Sequence, residues 1–192
     1  MLELFAAISL VLTLLAAPPY IIDTFNRKTK PQRATWLILS ILGLIGFFSQ
    51  LAIEANWSLV FLGVDTAASL TVLGLSIPFG IGGFSLLDRY ALVVAAIGVI
   101  VSVVANRPVI ALLGIILADV AGTFLTVRKA FLHPGTETTI SWVLVGSAAV
   151  FSVLAVGKTS LDLLIWPVYL VLANFAVPAA QFAGRSFIKA KT

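Results

Sequence analysis

The chain has 192 residues, 60% of them hydrophobic and only 10% charged. Soluble domains carry roughly 25% charged residues, so a water-soluble globule is excluded and most of the surface must face lipid. There is no cysteine and a single histidine, His133, which excludes disulfides, thiolate clusters and a zinc site; no cofactor or metal is expected. The net charge of +4 comes from Lys and Arg that flank apolar segments and form no stripe, a pattern of membrane orientation rather than of nucleic-acid binding.

A spanning helix needs about 20 apolar residues, and seven such stretches fit the length. They are Leu4–Ile22, Ala34–Ile53, Trp57–Pro78, Asp88–Ala105, Pro108–Val127, Thr138–Val156 and Leu161–Phe182. The first has no Lys or Arg ahead of it, so it is expected as a retained helix rather than a cleaved signal. Asn26 to Pro31 separates the first two segments, and Glu54-Ala55-Asn56 forms a tight polar turn before the third. Ser85, after a glycine-rich stretch, is the expected N-cap of the fourth, and Pro108 opens the fifth, where its missing N–H costs nothing.

Ten cationic residues (Arg27, Lys28, Lys30, Arg33, Arg89, Arg128, Lys129, Arg185, Lys189 and Lys191) fall on one side of seven alternating spans; Arg107 and Lys158 fall on the other. Positive charge marks the cytoplasmic face. The expected orientation has the N-terminus outside and the C-terminus inside, in a cell membrane of bacterial type.

Segments one to three echo segments five to seven. Ala17-Pro18 aligns with Ala118-Asp119 and Arg27-Lys28 with Arg128-Lys129; Trp36 then matches Trp142, while Trp57 and Asp65 match Trp166 and Asn174. The expected fold is all-α: a first triple-helix repeat over 1–80, a linker helix over 81–106 and a second repeat over 107–192. An odd crossing between the copies keeps them parallel. Parallel repeats are an architecture of transporters, whose solute sites lie near the bilayer midplane between the repeats.

This three-one-three order, with Ala17-Pro18-Pro19-Tyr20 leading into Arg27-Lys28-Thr29-Lys30 and the Trp57/Asp65 pair echoed by Trp166/Asn174, resembles the SWEET and PQ-loop superfamily of membrane transporters. The match is mainly one of topology. The family's Pro-Gln pair is Pro18-Pro19 here, Asp119 stands where the second copy would have proline, and Pro31-Gln32 spells the dipeptide only in a loop. The resemblance implies that Asp65 and Asn174 contribute to the substrate pocket and that Asp119 takes up a driving proton.

The residues independently single out the same positions. Asp65 and Asp119 are the acidic residues well inside apolar segments, where a charge costs at least about 2.5–3.5 kcal/mol. Each must face a polar cavity, pair with a cation or stay protonated. The alternative for Asp65 and Asn174 is a hydrogen bond between helices; for Asp119 it is a bond to Thr123, one turn on. Pro18 and Pro19 free carbonyls one turn earlier, making a hinge or a static kink. The four tryptophans sit at segment ends, where interface anchoring and gating, the latter at Trp36 and Trp142, both stay open. Ser49, Gln50, Ser69 and Ser76 add polar groups at depth.

Three function classes follow. The favoured one is a transporter moving a small polar solute (a sugar, an amino acid or a vitamin-like compound) by alternating access, with proton linkage open. The alternative is a seven-helix receptor, sorting protein or sensor without transport; the last segment has no lysine for a retinal Schiff base. An intramembrane enzyme is not expected, because no His-Glu-x-x-His pattern and no Ser/His pair lies in the segments. The expected partners are the solute, the bilayer and protons, with homo-oligomerisation open.

Overall fold

The computed structural model describes residues 1–52, 57–158 and 160–190. The Glu54–Asn56 turn and the side chains of Gln50 and Trp57 lie outside that description. Seven helices make up the fold: α1 (Leu2–Phe25), α2 (Arg33–Ala52), α3 (Trp57–Phe79), α4 (Leu86–Val104), α5 (Pro108–Leu132), α6 (Thr139–Ala155) and α7 (Leu161–Lys189). Five of them, counting α3 from Leu62, are long and apolar enough to cross a membrane; α2 and α6 are the shorter apolar helices beside them. The protein is an all-helical membrane protein.

The expected limits hold to a few residues except at one end. There α1 runs three residues past Ile22, α5 five past Val127 and α7 seven past Phe182. Apolarity marks where lipid stops, but a helix continues while its backbone stays paired. Lys129 and Lys189 in the last turns also sit favourably against the negative ends of the helix dipoles.

Neighbour relations define a ring. In each trio the third helix lies between the other two: α3 touches α1 and α2, and α7 touches α5 and α6. The trios meet where α1 packs along α6 and where α2 packs on α5, giving the order α1-α3-α2-α5-α7-α6 around the ring. Among the described residues α3 and α7 do not touch, so they are opposite walls. Helix α4 stands outside, mainly against α5.

The α4–α5 seam is made by small residues. Ala91, Ala95 and Gly98 on α4 meet Gly114, Ala118 and Ala121 on α5, and a Cβ on Gly98 would come within 2.5 Å of the Gly114 carbonyl oxygen. Backbones approach this closely in membranes because packing, rather than a hydrophobic drive, holds helices together. The blandness of α4 in sequence is therefore its packing surface.

The three loops at the Lys/Arg-rich end, called the basic end below, are woven together. Lys30 N–H donates to Thr136 O (3.0 Å) and Ile81 N–H to Pro31 O (2.9 Å). Asp88 accepts from Gln32 Nε2 (2.7 Å), Gly83 N (2.8 Å) and Ser85 N (2.9 Å), and with Ser85 it forms the capping box that starts α4. Gly82 and Gly83 have φ of +73° and +98°, and a side chain on Gly82 would run into the Gln32 amide. Arg33 completes the lacing by donating to the carbonyls of Ser76 (2.9 Å), Ile77 (3.0 Å) and Gly82 (3.1 Å), which satisfies the end of α3. The Pro31-Gln32 dipeptide, which the sequence places in a loop, thus holds a buried structural position.

Candidate functional site

A cluster drawn from all six ring helices fills the bundle near the basic end. Tyr20 (α1), Val72 (α3), Ala130 (α5), Trp142 (α6) and Val177 (α7) are buried, with Trp36 (α2) packed against them. Tyr20 is the hinge of this plug: its ring centroid lies 4.9 Å from that of Trp36 and 6.2 Å from that of Trp142, the latter edge-on.

A polar hub backs the plug. Glu137, in the turn before α6, forms a buried ion pair with Lys129 of α5. It also accepts from Tyr20 Oη at 3.2 Å and from Trp142 Nε1 at 2.7 Å, and Trp36 Nε1 donates to Tyr20 Oη at 3.2 Å. Gln181 of α7 ties in through Pro134 O (3.0 Å) and Glu137 O (3.1 Å). The expected gate residues Trp36 and Trp142 therefore lie within the bundle, one in each trio. Trp142 is only 8% exposed, so it is not an interface anchor.

The expected solute-site residues lie above this plug, toward the far end. Asp65 is seven positions before Val72 on α3, which is 20° short of two turns, so both project from the same helix face at levels about 10 Å apart. Val72 is 2% exposed and Ser76, on the same side, is fully buried; Asp65 is exposed and makes no hydrogen bond among the described residues. One face of α3 thus passes from sealed to open.

Asp119 lies eleven positions before Ala130, 20° past three turns, again on the plug-facing side of α5. It is buried, and its Oδ2 accepts from Tyr169 Oη of α7 and from Thr123 Oγ1 at 3.3 Å. Tyr169 stacks on Trp166 with centroids 5.8 Å apart. Asn174, one turn above Val177, is buried and spends its Nδ2 on Leu170 O of its own helix (2.9 Å). The structure thus sets Asp65 and Asn174 on the opposed helices α3 and α7 without bonding them to each other, in unequal surroundings. Pro18 and Pro19 are accommodated within an unbroken α1, just before Tyr20.

Sequence reasoning missed Tyr169, Glu137, Lys129 and Tyr20. Glu137 was hidden because it sits in a polar turn, where a carboxylate looks solvated. Its one sequence signal is Lys129 at i−8, across a Pro-Gly turn.

Two cavities lie elsewhere. One of about 520 Å³ is lined by Ile41, Leu44, Ile45, Phe48 and Ser49 along α2 and is almost wholly apolar, as suits an acyl chain. One of about 200 Å³ lies at the basic end between Gln32, Asp88, Arg128 and His133. Among the described residues no group of acidic, histidine or cysteine side chains is arranged to hold a metal.

The class defined by these observations is an integral, all-helical membrane protein of seven helices. No family model matches the chain, and no curated protein or solved structure matches it either.

Proposed function

We propose that this protein is a transporter that moves a small polar solute by alternating access, here in the state closed at its basic end and open at the other. The observation that carries the reading is the α3 face: Asp65 exposed, Val72 and Ser76 sealed two and three turns on. A membrane protein that buries its core uniformly has no reason to keep an unpaired carboxylate open above a six-helix plug, given what such a group costs at depth. A transporter has one, because the site must be wetted from one side at a time.

The neighbour pattern supports two parallel triple-helix units, 1–80 and 107–192, with α4 as linker. Exchanging the trios turns the α1–α6 contact into α5–α2 and leaves the ring order unchanged. That is also the basis for proposing kinship in topology with the SWEET and PQ-loop superfamily. In this reading the basic end is cytoplasmic, by the excess of Lys and Arg there. Asp65 and Asn174 contact solute, and Asp119, held by Tyr169 and Thr123, carries the coupling proton. Trp36 and Trp142 close the inner gate over Tyr20, and Pro18-Pro19 is the hinge beside it.

Uptake into proteoliposomes tests this. Wild-type protein is expected to take up at least one solute from a panel of sugars, amino acids and vitamins, faster with an inward proton gradient. Asp119→Asn is expected to abolish the gradient effect. Ligands that raise the melting temperature but never cross the membrane would mean a receptor instead.

A further inference from the structure

The polar groups above the plug are acceptors. Asp65 offers both carboxylate oxygens, having no hydrogen bond among the described residues. Asp119 engages Oδ2 with Tyr169 and Thr123, and among the described residues no donor is bonded to its Oδ1. Asn174 has committed its amide N–H to Leu170 O, so it too presents an oxygen. The Tyr169 hydroxyl directs its O–H at Asp119 as a hydrogen-bond donor, leaving its lone pairs as acceptors.

No cation balances them. The sequence has no Lys, Arg or His from Ala34 to Asp88, from Pro108 to Val127 or from Thr159 to Gly184, which covers the walls of this region on α2, α3, α5 and α7. Toward the basic end of α5, Arg128 is exposed at the surface and Lys129 is buried in its pair with Glu137 behind the plug. An exposed Asp65 carboxylate, with the buried Asp119 carboxylate and further lone pairs on neighbouring walls, repels anions and leaves the acceptors of a neutral polyol without donors, which is costly in a desolvated site. It matches a compact ligand that brings positive charge and several N–H groups.

From this we infer that the solute is a small organic cation, a primary amine or a guanidinium, held by Asp65 and Asp119 with Asn174 as a third acceptor. The inference rests on the transport reading above and assigns its substrate class. The site is not a resident cation site, because Asp65 stands open and the acceptors come from opposite walls of the ring.

The test is uptake of radiolabelled ethanolamine and agmatine into proteoliposomes of the full chain, beside glucose and glutamate. Both amines are expected to accumulate above protein-free vesicles, and glucose and glutamate are not. Asp65→Asn is expected to cut amine uptake at least tenfold and Asp65→Glu to restore most of it. Asp65 has no hydrogen-bond partner to lose among the described residues, so the variant should elute from gel filtration like the parent. Uptake of glucose or glutamate but not the amines would overturn the substrate class and leave transport standing. Amine uptake that survives both Asp65→Asn and Asp119→Asn would overturn the site. No uptake of any of the four, with the protein monodisperse, would overturn this inference, while the wider solute panel above would still decide whether the chain transports.

Discussion

The plug at the basic end depends on a buried charge pair, and its removal should be felt in two measurements at once. Lys129 and Glu137 have side chains 5% and 0% exposed, and Glu137 also holds Tyr20 and Trp142. Lys129→Met leaves that carboxylate with only neutral donors in a water-poor site, at a cost of about 3–5 kcal/mol. At roughly 2–4 °C per kcal/mol for a chain of this size, thermal unfolding in detergent should fall by about 6–20 °C. Lys129→Met with Glu137→Gln removes the stranded charge, so the double variant should recover at least about 1 kcal/mol relative to the sum of the singles. The second measurement exploits the absence of cysteine: Val72→Cys introduces the only thiol, at a position 2% exposed in the plug. Maleimide added from the basic side should label it slowly in the parent background and many-fold faster with Glu137→Gln. A double variant as unstable as the summed singles would refute the pairing argument. Labelling unchanged by Glu137→Gln would refute the idea that the hub holds the plug shut.

The α4–α5 seam gives a contrast between two glycines. Gly98→Ala drives a methyl into the Gly114 carbonyl and should cost about 1–3 kcal/mol, whereas Gly74, with no atom within 4 Å of an added Cβ, should tolerate alanine or gain slightly; thermal unfolding of both variants decides it. Arg33→Lys keeps the charge but cannot span the carbonyls of Ser76 and Ile77 at the end of α3 and of Gly82 in the loop beyond it, so it should destabilise by about 1.5–3 kcal/mol, read as faster amide exchange at the Gly80–Gly83 turn.

What the sequence determined by itself is the part governed by one-dimensional physics. Lipid demands about 20 apolar residues per crossing, so seven helices were legible from hydropathy, and their limits from Ser85, Pro108 and the polar turns. The placing of Asp65 and Asp119 well inside their helices followed from the length of the apolar segments around them. What only the tertiary structure decided is the direction in which side chains point and what they meet. Helix rotation set Asp65 above Val72 on an open face and buried Asn174 on an equally apolar helix. Chain folding brought Lys129 and Glu137 together across a turn that reads as solvated, and brought Tyr169 from α7 onto Asp119. It also made Pro31-Gln32 a buried partner of Asp88. Apart from Lys129–Glu137, which closes across one turn, these are contacts between residues far apart in the chain, and no local pattern records them because each depends on how separate elements pack.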